Sequence, residues 1–196
     1  MRKRGMAVAA ATASVLMVAG CSSSSGGGKD GGKPSAKKTE SAAERQAREA
    51  REAAAKDRQA MLDAAVKFRK AEIAHDGRAA CALKTAEGRY GDSPEKCVDF
   101  YKPRANDKPA DEELARATVT VTGDPVEVPA IGNHPAGKGV MVTTQTTGDD
   151  GRVGVVRDAL RMLKISGQWL VDQSKQVLDS EMTASSPVVS ALMRSH

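Results

Sequence analysis

The spacing of hydrophobic and polar positions changes repeatedly along this 196-residue chain, and each change marks an element. Residues 6–19 are an almost uncharged run of Ala, Val, Leu and Met, too short to span a bilayer comfortably. Residues 22–40 are mostly Ser, Gly and Lys, a composition that buries too little apolar surface to offset ordering entropy and so predicts a tether with a reach of roughly 20 to 25 Å. From 41 to 76 there is no Gly or Pro, and Ala, Glu, Arg, Lys and Gln dominate, which predicts one long helix. In its first half Glu44 with Arg48, Arg48 with Glu52 and Glu52 with Lys56 are spaced i to i+4, so this half can support itself in water. The second half carries Leu62, Ala65, Val66, Phe68 and Ile73 as a core face.

His75-Asp76-Gly77 is expected to terminate that helix, and a short one carrying Cys81 follows at 78–84. Ser93-Pro94-Glu95 places an N-cap, a first-turn proline and an early acid in order, opening a helix through Cys97 and Phe100; 107–115 can add a further turn. After Arg116 the period becomes two: Val119 and Val121 alternate with Thr118, Thr120 and Thr122, Gly123-Asp124-Pro125 reads as a turn, and 126–128 can begin a second strand. A loop at 129–139, a strand at 140–147, a turn at 148–151, a long strand at 153–165, a Ser166-Gly167 hairpin and a strand at 168–176 complete the series. Alternation fails around Arg157-Asp158-Ala159, which predicts a bulge or a strand covered on both faces. Helices first and an antiparallel meander afterwards define an α+β class, with a long N-terminal helix and short helices packed on a curved sheet. The predicted divisions are a leader at 1–20, a tether at 21–40, a solvated helical extension at 41–57, a domain at 58–178 and a loose tail at 179–196.

Arg2-Lys3-Arg4, the apolar run after it and the small residues before Cys21 together resemble the leader of bacterial lipoproteins. That resemblance implies cleavage between Gly20 and Cys21, diacylglycerol on the Cys21 sulfur, and display at the outer face of the bacterial cell membrane. Two fatty chains are needed for stable anchoring, because one holds a protein only transiently. The net charge of +5 does not mark a nucleic-acid partner. Removing the three basic residues of the leader leaves 27 Lys and Arg against 25 Asp and Glu, and removing 21–40 as well leaves 23 against 23. Phosphate binding needs a basic face, and a chain with two Phe, two Tyr and one Trp has no aromatic interleaving for bases.

With Cys21 committed to lipid, Cys81 and Cys97 remain as an even pair. In an exported domain such a pair is expected to bond as a disulfide, against the alternatives of free thiols or a metal pair. The metal alternative is poorly supplied: His75 is the nearest further ligand, and neither a CxxC nor an HxxxH spacing is present.

The segments Ala80-Cys81-Ala82-Leu83, 117–123 and 163–172, with Cys97 after a short gap, set in this order of helices and strands, resemble the cone-shaped nuclear transport factor 2-like fold over residues 58–177. The resemblance implies a pocket or a packed core between the first helix and the sheet, formed by Met61, Val66, Phe68, Met141, Leu160, Met162 and Trp169. It implies no single activity, since relatives include isomerases, dehydratase-like cyclases and domains that only bind. No catalytic motif, phosphate loop or metal-ligand cluster is seen. His75-Asp76 reads as a helix terminator, Asp158 and Asp172 as strand carboxylates that could enter a cavity, and His134 as an exposed loop residue. The expected function is therefore a membrane-anchored, non-catalytic accessory or interaction domain of the cell envelope, without cofactor or metal, whose partners are the membrane and an envelope protein. The alternatives are a small-molecule or lipid-binding module and, behind it, an isomerase- or dehydratase-like enzyme.

Overall fold

The structure, a computed structural model, describes residues 41–91, 93–105 and 107–194. The expected leader, the cleavage point at Gly20 and Cys21, the lipidation of Cys21 and the tether lie outside the described residues.

The long helix α1 runs Ala42–Ile73. Ser41 caps it reciprocally: the Glu44 amide donates to Ser41 Oγ at 3.2 Å while the Ser41 amide donates to the Glu44 carboxylate at 2.8 Å. Residues 42–56 are exposed on every side, and burial begins only where Met61, Ala65, Phe68 and Ala71 share one face. Two short helices follow, α2 at Gly77–Ala82 and α3 at Pro94–Phe100, capped by Asp76 and Ser93. A disulfide between Cys81 and Cys97, with Cα atoms 6.1 Å apart, staples them together. Helix α4, Ala110–Arg116, runs directly into the sheet.

The sheet has four antiparallel strands in chain order: β1 Ala117–Val128, β2 Gly137–Thr147, β3 Val153–Ile165 and β4 Gln168–Gln176. The expected turn at 123–125 is instead a bulge inside β1. Thr122 faces Met141 and Val126 faces Gly139, so β1 carries two extra residues, and Gly123 takes a φ of +77° that a side chain would resist. The broken alternation in β3 has both expected causes. Residues 158–162 are buried on both faces, and the register shifts after Arg161, leaving Asp172 as the extra residue on β4.

On the concave face, α1 packs against Val140, Val142, Leu160, Met162 and Val171. The convex face is half covered by a further helix, α5, at Pro187–Met193. This corrects the expected loose tail: Val188, Ala191 and Leu192 are buried against Val128, Ala159 and Val177. The tail contains its own helix signal, Ser186-Pro187, with Ser186 accepting the Val189 amide at 3.4 Å. Arg194 fastens the end by donating to Glu181 at 2.8 Å and to the Gln176 carbonyl at 3.0 Å.

Candidate functional site

The seven residues expected to form one pocket or core separate into three groups. Met61, Phe68, Leu160 and Met162 are buried together in the core beneath α1. Met141 is on the other side of the sheet, in the cluster with α5, because a period of two turns it away from Val140 and Val142. Val66 is half-buried, one residue off the face that carries Met61, Ala65 and Phe68. Trp169 is also half-buried and, with Met61, Asp57 and Arg58, lines a surface cleft of about 320 Å³. Its indole donates to Asp57 at 2.9 Å, which fixes the ring beside the point where α1 leaves the body.

A larger cleft, about 500 Å³, opens at the β2–β3 hairpin end of the concave face. Arg69 and Ile73 of α1 form one side, Glu113 and Arg116 of α4 with Lys108 the other, and Thr144 and Val156 of the sheet the base. These strand residues have the same parity as Val142 and Leu160, so the concave face that is apolar at its centre turns polar toward this end.

Next to the base, on the same face of the sheet, lies a buried polar cluster. Arg69 Nε donates to Thr144 Oγ1 at 3.1 Å and Nη1 to Glu72 at 3.2 Å, while Tyr101 donates its hydroxyl to Glu72 at 3.4 Å. Asp158 Oδ2 is 3.3 Å from Arg69 Nε, close enough for charge attraction, yet it makes no hydrogen bond. Burial pushes the Asp158 carboxyl up, against the opposing charge of Arg69. Burial likewise raises Glu72, opposed by Arg69 and Lys84. The Tyr101 hydroxyl is raised strongly, first by burial and then by the Glu72 charge. Lys84 is lowered by burial and opposed by Glu72 and Asp172; its ammonium sits 4.4 Å from the Tyr90 ring centre and donates to the Gly88 carbonyl at 2.8 Å. At the exposed rim Lys108, at 2.7 Å, and Arg116 both donate to Asp149, holding its carboxyl down at about 2.

Of the polar residues singled out in the sequence, only Asp158 belongs to this cluster. Glu72, Arg69, Tyr101 and Lys84 were not anticipated, although Arg69 and Glu72 directly follow the buried Phe68 and Ala71 on a helix. His75 and Asp76 point apart, as expected of a terminator: Asp76 accepts the Ala79 amide at 3.0 Å, whereas His75 turns toward Asp107 and Glu113. His134, expected as an exposed loop residue, is instead bonded to the buried Asp172 at 2.8 Å. Among the described residues no group of three or more His, Cys, Asp or Glu could hold a metal ion.

No family model matches the chain, and no curated protein matches it. Similar solved structures include a nuclear transport factor 2-like protein with a cystatin-like fold from Novosphingobium aromaticivorans, at 15% identity and a TM-score of 0.43, covering 79% of this chain and 98% of that one. They also include a protein of unknown function from Mycobacterium tuberculosis, at 12% identity and a TM-score of 0.38, covering 77% and 88%. Helices on a curved four-stranded antiparallel sheet are the α+β class that the sequence implies, and any function must be argued from this chain's own side chains.

Proposed function

We propose that this chain is a lipid-anchored domain of the bacterial cell envelope, held at the outer face of the membrane through diacylglycerol on Cys21 and acting as a non-catalytic interaction domain. The observation that carries the reading is the exposure of α1 over residues 42–56. Most helices owe their stability to a face packed on a core, and this stretch has no buried face among the described residues. It is sustained by its cap and by pairs such as Arg48 with Glu52, at 4.0 Å. At 1.5 Å per residue it is about 22 Å long, a length suited to display and to contact with a partner. Membrane fractionation of wild type and Cys21→Ser in the native host tests the anchor: the variant should leave the membrane. Intact-mass measurement should find lipid on residue 21, and an unmodified Cys21 would overturn the reading.

A second reading is favoured by Asp158. A buried carboxyl oxygen without a hydrogen-bond partner, on the same sheet face as the base of an open polar cleft, suits a site for a small polar molecule. Asp158 and Glu72 are also the buried carboxyls that acid–base chemistry would need. Native mass spectrometry of the full chain should then retain a small-molecule adduct that Asp158→Ala loses.

A further inference from the structure

We propose that His75 is a proton-operated latch between the end of α1 and the α4 wall of the larger cleft. Three separate observations carry it. The first is backbone geometry: His75 has a φ of +51°, in the left-handed region that disfavours any Cβ. Glycine or asparagine commonly ends a helix in this conformation at less strain. Ser166 is the other described non-glycine residue with a positive φ, and it sits in a hairpin turn beside Gly167.

The second observation is that His75 Nε2 is buried without a hydrogen-bond partner, which protein interiors seldom tolerate. The third is what this nitrogen faces: Glu113 Oε2 of α4 at 3.4 Å and Asp107 Oδ2 at 3.6 Å. A backbone strained at a histidine, with its ring nitrogen aimed between two carboxylates, has a physical use if the ring changes charge.

With a neutral ring, Nε2 meets the two acids without bonding to either. With both ring nitrogens protonated, Nε2–H becomes a charged donor between two anions, and closure to a charge-assisted distance of about 2.8 Å follows. Asp107 already accepts the Arg104 amide at 2.6 Å, so Glu113, on α4, has the freedom to move. Several other charged groups of the neighbouring elements are engaged elsewhere. Lys108 and Arg116 pair with Glu112 and Asp149, Arg69 holds Glu72 and Asp158, and Asp76 caps α2. Because Glu113 and Arg116 line the cleft opposite Arg69 and Ile73, protonation of His75 draws the α4 wall inward and narrows the opening.

The test is amide hydrogen exchange on the full chain, corrected for intrinsic rates, between pH 8 and 5.5. Protection across 110–116 should be about threefold higher at the acid end of that window than at the alkaline end, the scale of a half-exposed charged contact. His75→Asn, which accepts the left-handed backbone, should abolish the rise. Glu113→Gln, on a half-exposed helix surface, should do the same while leaving the fold intact. His134, Glu72 and Asp158 remain in both variants, so any effect of their titration persists and is separated. Protection of α4 that ignores pH in the wild type, or that rises equally in either variant, would overturn the latch.

Discussion

His134 and Asp172, 38 residues apart in sequence, meet at 2.8 Å between Nδ1 and Oδ2, with the carboxylate almost entirely buried. Asp172 also accepts the Thr85 hydroxyl at 2.9 Å, and Thr85 Oγ1 in turn accepts the Gly88 amide at 2.9 Å. One bulged residue on β4 thus ties down the segment after α2 and the loop between β1 and β2. Removing the carboxylate strands two polar partners. Asp172→Ala is expected to destabilise the fold by about 2 to 4 kcal/mol. Urea denaturation checks this; an unchanged midpoint would mean that the loop is held by Arg161, which donates to the Pro129 and Pro135 carbonyls at 2.7 Å each.

The staple between α2 and α3 closes a loop with a sequence separation of 16. Constraint of the unfolded chain by such a loop contributes on the order of 3 kcal/mol. The double variant Cys81→Ala, Cys97→Ala should therefore melt well below the wild type, and reductant should lower the wild type to a similar point but leave the variant unmoved.

Glu72 and Asp158 set a pH dependence with a definite sign. Burial raises both in the folded state, so the fold retains protons that the unfolded chain releases. Their contribution is fully present below the unfolded carboxyl range, near pH 4, and is lost as the pH climbs toward the raised folded values. Glu72→Gln is neutral throughout and should flatten that decline, so its urea midpoint should gain on the wild type between pH 4 and 7. Parallel curves would refute a raised Glu72.

Leu192 is completely buried between α5 and the convex face. Leu192→Ala is expected to cost about 2 to 5 kcal/mol, the range for a buried leucine truncated in a close-packed site. A loss within a few tenths, measured by thermal or urea unfolding, would mean that α5 detaches in solution.

What the sequence made legible follows from how local the signals are. The ends of β3 and β4 and the cap at Ser93 rest on residues within one turn of each other, and they appear where expected. Gly123-Asp124-Pro125 has the composition of a turn, yet whether it reverses the chain or only bulges it depends on the partner register across β2, which is not local. Met141 was misplaced for a related reason, since assigning it to a face requires knowing where β2 begins. The cluster around Arg69 was hidden because charged residues on an Ala- and Arg-rich helix read as solvated; only the fold reveals that Tyr101 and Asp158 close over them. Residue 158 did leave a trace, in the failed alternation of β3.

The placement of α5 bears on the order in which the molecule can be completed. Every other described element precedes it in the chain, and its Val188 side chain seats where a Cβ on Gly139 of β2 would stand. A sheet emerging vectorially therefore has Val128 and Ala159 uncovered until α5 is made, so final closure of this side waits on an element that follows all four strands.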